Sequence, residues 1–209
     1  MKLLDMLQGI KNIIFDLGGV IYAIDYQATI RAFEALRIND FEQIYAKAGQ
    51  SNLFDNLEVG KISKADFFRD MKQLVDSSIT DDDIMNAWNA MLLDFIPDAL
   101  ESLKRLKGDY RIFLLSNTNQ IHIEEIKKRA GDEFYKDFCD LFEQVYLSHD
   151  IGLRKPNVEV FTHILVEKNL AAKETLFIDD SIQHIVGARK AGLKAHHLKD
   201  EQSISQLLP

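Results

Sequence analysis

Four short segments end in residues that can do chemistry together. Asn12-Ile13-Ile14-Phe15 runs into Asp16, Arg111 to Leu115 runs into Ser116-Asn117, a loop carries Lys155 before Pro156, and Thr175 to Ile178 runs into Asp179-Asp180. An aspartate can act as a nucleophile, and a hydroxyl with neighbouring backbone N–H groups can hold phosphate oxygens. A lysine can neutralise charge, and an acid pair can hold Mg²⁺. Each part has a plainer reading: Asp16 as a turn former before Gly18-Gly19, Ser116 as a helix cap, Lys155 as a surface residue. Adjacent acids at a packed strand end are harder to explain away, because two such charges repel unless a cation joins them. The chain offers no Gly-rich phosphate loop instead, and its six histidines show no metal-ligand spacing on one face.

The elements that must position these residues follow from periodicity. Each apolar run is short enough for a strand buried on both faces. Helical patterns lie between them: Pro97 introduces Leu100, Leu103 and Leu106, and Ile182 to Ala191 stops at Gly192. Strands alternating with helices predict a parallel, doubly wound sheet, in which all strand carboxyl ends share one edge. Asp16, Ser116, Lys155 and Asp179-Asp180 are therefore expected to meet there. Between the first strand and Pro97 the pattern is helical: Tyr26, Ile30, Phe33 and Leu36, then Phe41, Ile44, Tyr45 and Ala48, fall at helical spacing. Ser63-x-x-Asp66 and Thr80-x-x-Asp83 read as helix starts. The division expected is a core of residues 1–21 and 96–209 with an all-helical insert at 22–95. The insert's aromatic residues match the spacing of its own small core, and the Gly60-Lys61 turn reads either as a solvated loop or as one reaching over a pocket.

Composition narrows the function. A net charge of −8 argues against nucleic-acid or anionic-membrane partners. The single cysteine, Cys139, excludes an intrachain disulfide and fits a compartment where thiols stay reduced; a cytoplasmic protein is expected. Neither a signal-type apolar core in residues 1–11 nor a run of about 20 apolar residues is seen.

Phe15-Asp16-Leu17-Gly18-Gly19-Val20, Leu115-Ser116-Asn117-Thr118-Asn119, Gly152-Leu153-Arg154-Lys155-Pro156 and Phe177-Ile178-Asp179-Asp180 resemble the four ordered motifs of the haloacid dehalogenase superfamily. The resemblance spans nearly the whole chain. It implies a Rossmann-like core with an inserted helical cap and a phosphatase of small phosphorylated metabolites, similar to bacterial sugar-phosphate phosphatases. By the same resemblance Asp16 would be the nucleophile, and Asp16, the Gly18 carbonyl and Asp180 would bind Mg²⁺. Ser116 and Asn117 would hold the transferring phosphoryl group. Lys155 would pair with it, Asp179 would orient Lys155, and Gly60 and Lys61 would sit on the loop that helps select substrate.

The sequence departs from that pattern at one place. Most members carry a second aspartate, an acid and base for proton transfer, two residues after the nucleophile; here Gly18 stands there. The absence of a general acid typically costs ~10²–10⁴-fold. Asp25 is the nearest candidate substitute and reads equally as a helix-start acid, and a sugar 1-phosphate, whose alcohol leaves easily, would tolerate Gly18 best. The alternative implied is a binding module with little turnover. Dehalogenation needs no Mg²⁺ and fits the acid pair poorly, and a signalling receiver domain has its acid pair and phosphorylated aspartate in the opposite chain order.

Overall fold

The computed structural model describes residues 7–36, 52–76, 78–199 and 202–207. In chain order, β1 (Asn12–Phe15) leads through a tight turn into β2 (Tyr22–Ile24) and then α1 (Tyr26–Ala35). Next come α2 (Leu53–Glu58), α3 (Lys64–Lys72), α4 (Asp81–Asn89) and β3 (Leu92–Phe95). The alternating part follows: α5 (Pro97–Leu106), β4 (Arg111–Ser116), α6 (Gln120–Ala130), α7 (Asp132–Cys139), β5 (Gln144–Leu147) and α8 (Ser148–Ile151). The chain continues with α9 (Val158–Glu167), β6 (Thr175–Asp179), α10 (Ile182–Lys190), β7 (Lys194–His197) and α11 (Ile204–Leu207).

Five strands form a parallel sheet in the order β5-β4-β1-β6-β7. All four residues of β1 are buried, as expected for a strand covered on both faces. Its alternation splits the core. Ile13 and Phe15 join Leu114 and Ile178 on one face, whereas Ile14 joins Phe113, Phe177 and Phe161 on the other. The chain leaves β1 toward β4 and β5 and later returns to β6 and β7, so β1 marks the switch point, the place where open α/β sheets bind ligands. Phe15 pairs with Leu114 and with Ile178, which sets Asp16 beside Asp179 and next to the end of β4.

The segment between β1 and α5 differs from the expected all-helical insert at both ends. Strands β2 and β3 pair antiparallel, with Tyr22 opposite Phe95, so the chain enters and leaves along a two-stranded ribbon. Three- and four-residue strands are too short to show a period, which is why a helical reading ran through them. Between the strands the helices close on a second apolar core containing Phe33, Leu57, Phe67, Met71, Ile84 and Trp88. Ser63 and Thr80 each form a complete capping box with Asp66 and Asp83, as their spacing predicts. The expected pattern at Phe41, Ile44, Tyr45 and Ala48 lies outside the described residues. No helix among the described residues is long and apolar enough to cross a membrane.

Candidate active site

Lys155 lies at the centre of the site, fully buried. Its ammonium has three protons and three acceptors: Asp16 Oδ1 at 2.7 Å, Asp179 Oδ2 at 2.8 Å and the Leu115 carbonyl at 3.0 Å. The loop that carries it is tied to the end of β4, because Asn117 Oδ1 accepts the Lys155 backbone N–H and Asn117 Nδ2 donates to the Lys155 carbonyl, both at 2.9 Å. From the other side α10 closes on this loop at Gly187, where a Cβ would lie 2.1 Å from the Pro156 carbonyl oxygen.

The same convergence sets the charges. Burial pushes the Lys155 pKa down, but Asp16 and Asp179 overcome it and keep the ammonium protonated. Burial also raises Asp179, yet Lys155 and His184 outweigh it and hold that carboxyl well below the usual range. Asp16 moves the other way, raised by burial more than Lys155 lowers it, with Asp179 and Asp180 adding repulsion. Asp180 is raised by burial and by Asp179. One ammonium thus faces three carboxylates, and the two it leaves under-compensated are Asp16 and Asp180.

The ligand-capable atoms of Asp16, Asp179 and His184 lie within 4.8 Å of one another. Asp179 is nevertheless committed: Oδ2 takes Lys155, Oδ1 takes the Ser181 N–H at 2.7 Å, and His184 Nδ1 sits 3.0 Å from both oxygens. Asp16 Oδ1 likewise accepts Lys155 and, at 2.7 Å, the Leu17 N–H. Its Oδ2 has no partner among the described residues, and Asp16 lines a cavity of about 710 Å³ together with Gly18, Ser116, Asn117 and Asp180. Gly19 makes room for this arrangement. Its φ is +69°, and a Cβ there would fall 2.2 Å from Asp180 Oδ2.

The loop after β4 is fixed by Ser148, which no sequence signal singled out: its hydroxyl accepts the Thr118 N–H and donates to the Thr118 carbonyl, both at 2.9 Å. Asn119 caps α6 by accepting the His122 N–H. His122 Nε2 faces the Trp88 carbonyl at 3.3 Å and is therefore the protonated nitrogen, leaving Nδ1 to accept from Asn119 Nδ2 at 3.2 Å. This bond joins the core to α4. Arg154, inside the motif read from the sequence, makes a second link. It pairs with Asp55 and, at 2.7 Å, with Glu58, both on α2. Lys64 and Glu124 make a third at 2.8 Å.

Asp16, Gly18, Ser116, Asn117, Lys155, Asp179 and Asp180 are thus gathered at one sheet edge. Gly60 and Lys61 are not brought to the cavity; both are exposed, and Gly60 sits against the backbone of His149 instead, where a Cβ would lie 2.1 Å from the carbonyl oxygen. Phe54, Asp55 and Glu58, about a turn earlier, reach it. Asp25 takes the helix-start role rather than that of a substitute acid. It caps α1 by accepting the Gln27 N–H and pairs with Arg31 at 2.6 Å, contacts that lower its pKa, so it is no proton donor to the cavity, which it does not line.

Residues 10–192 match the haloacid dehalogenase-like hydrolase family. The chain is 30% identical over 185 residues to a D-ribitol-5-phosphate phosphatase of Bacteroides thetaiotaomicron, covering 88% of this chain and 90% of that protein. It is 25% identical to a sesquiterpene phosphatase of Aspergillus oryzae, covering 91% and 90%. Among solved structures, a haloacid dehalogenase family enzyme from B. thetaiotaomicron in complex with magnesium and inorganic phosphate superposes with a TM-score of 0.84 at 32% identity, covering 96% of this chain and all (100%) of that one.

Proposed function

Since this chain belongs to the haloacid dehalogenase-like hydrolase family, we propose that it is a Mg²⁺-dependent phosphatase that cleaves a small phosphomonoester through an aspartyl-phosphate. The observation that carries the reading is the Lys155 ammonium with all three donors committed, holding Asp16 Oδ1 and leaving Oδ2 to the cavity. In this reading Oδ2 attacks phosphorus, the ester P–O bond breaks, and the departing alkoxide takes its proton from water. Water then cleaves the acyl phosphate and returns Asp16. Lys155 acts as a fixed positive charge that favours the ionised nucleophile, and Asp179 holds it in place. Ser116 Oγ has no hydrogen-bond partner among the described residues and can donate to a phosphoryl oxygen, with the Asn117 N–H beside it. Positioning and charge compensation are what phosphoryl transfer demands of a protein.

The residues fit a hard divalent cation. Two under-compensated carboxylates, Asp16 and Asp180, line the cavity together with Gly18, an all-oxygen donor set suited to Mg²⁺. When bound, the ion supplies positive charge at the transferring phosphoryl group.

In the same reading residues 22–95 are the cap; the Tyr22–Phe95 pairing supports these limits, and the contacts of Arg154, Lys64 and His122 support its docking on the core. The lone cysteine and acidic charge support a cytoplasmic location. As for the finer substrate, one relative's name supports the expected sugar phosphate and the other's a terpenoid ester.

Phosphate release from p-nitrophenyl phosphate and a panel of esters, with and without Mg²⁺, tests the reading. Mg²⁺-dependent release abolished by Asp16→Asn is expected. Folded protein that binds Mg²⁺ but releases nothing would replace the phosphatase with a binding module.

A further inference from the structure

We infer that the alcohol released from the substrate is uncharged and mainly hydrocarbon rather than a sugar or a polyol. The inference rests on the phosphatase reading only in taking the phosphate to sit against Asp16.

Among the described residues, the wall of the 710 Å³ cavity away from Asp16 is built from Ile24, Ile30, Phe54, Trp88, Met91 and Ile126. Phe54 stacks on Trp88 with centroids 5.0 Å apart and planes 11° from parallel, and Trp88 stacks on His122 at 5.3 Å and 22°. A column of three rings thus runs from α2 through α4 to α6. A phosphate fills a small part of this volume, so the wall meets the rest of the ester.

Thr29, His122 and Arg154 in the wall already have partners, whereas Trp88 Nε1 is buried without one among the described residues. Thr29 Oγ1 donates to the Trp88 carbonyl and accepts the Met91 N–H, each at 3.2 Å. Both ring nitrogens of His122 are used, by Asn119 and by the Trp88 carbonyl. Arg154 is held by Asp55 and Glu58. A site that reads hydroxyls keeps donors and acceptors aimed at them, and its discrimination comes from the cost of leaving those groups unpaired. This wall offers little of that kind, so a polyol would surrender its water for rings and aliphatic carbon. Charge points the same way: two carboxylates against one guanidinium disfavour a second anionic group on the alcohol.

The experiment is a series of primary-alcohol esters, which keeps the leaving chemistry constant: propyl, butyl, pentyl and hexyl phosphate against ribitol 5-phosphate and glucose 6-phosphate. Burial of each added methylene is expected to raise kcat/KM about fourfold, so that hexyl exceeds propyl by on the order of 60-fold, with both polyol esters below propyl. A flat series, or a polyol ester above hexyl phosphate, would overturn the inference while leaving the phosphatase intact. Trp88 is the only tryptophan in the chain, so its fluorescence reports occupancy of this wall without turnover. In Asp16→Asn, hexyl phosphate should change the emission at lower concentration than ribitol 5-phosphate. That binding order without phosphate release from any ester, p-nitrophenyl phosphate included, would sink the phosphatase reading and keep the inference about the wall. Equal binding of both would remove the inference as well.

Discussion

At the scale of single residues the site is decided by what each atom has left over. Lys155 has nothing left over, which makes it a fixed charge, whereas Asp16 Oδ2 and Ser116 Oγ remain available to a ligand. Gly18 raises the remaining question of the proton that the departing alcohol needs. Asp25 is pinned by Arg31 and the α1 N-terminus, so Asp25 does not stand in for the absent side chain. Esters of acidic alcohols should therefore turn over fastest. Restoring the acid tests this directly. A Cβ at Gly18 would meet Ile24 Cδ1 at 3.1 Å, the far end of a flexible side chain, so Gly18→Asp is accommodated by a small shift, eased further by Ile24→Val. Gly18→Asp is expected to raise kcat on alkyl phosphates about 10²-fold, the low end of a general acid's contribution, and to change p-nitrophenyl phosphate much less. Equal changes for both ester types would mean that Gly18 does not mark a proton-transfer deficit.

At the scale of elements, most of the core was legible because its strands are short, apolar and bounded. The runs from Arg111 and from Thr175 form the strands expected, each extended by one residue, to Ser116 and to Asp179. The gathering of four distant segments followed from one rule, that parallel strands end on a common edge. What was not legible has identifiable causes. The β2–β3 ribbon is too short to carry a period, and α7 follows α6 after only Gly131. Ser148, His122 and Arg154 act through pairings across 30 residues or more, to which spacing is blind. The capping boxes were legible, being local, and they make a local prediction. Ser63→Ala and Thr80→Ala should each cost about 1 kcal/mol, lowering Tm by roughly 2–4 °C. Because the two caps serve different helices, the double variant should lose nearly the sum. Thermal unfolding measures it; no change in either single variant would mean that the boxes do not hold these helix ends.

At the scale of the whole molecule, the question is how helices α2, α3 and α4 stay seated beside the sheet. Most of the links are surface ion pairs, which contribute little in water, whereas the His122–Trp88 bond lies in a buried seam. Burial pushes the His122 pKa down to about 4, with the Trp88 carbonyl opposing it only weakly. In the unfolded chain the same imidazole titrates near ~6.5. Between those values the unfolded state takes up a proton that the folded state refuses. The contribution of a neutral His122 is thus complete above about pH 6.5 and is lost progressively as the pH falls toward 4, amounting to on the order of 3 kcal/mol. His122→Gln keeps a donor for the Trp88 carbonyl but cannot titrate. Urea unfolding of both proteins should therefore show wild type losing about 3 kcal/mol relative to His122→Gln between pH 7 and pH 4. A difference that stays constant across that range would mean that the imidazole is free to protonate where it sits, and that the seam between the two blocks opens to water well before the molecule unfolds.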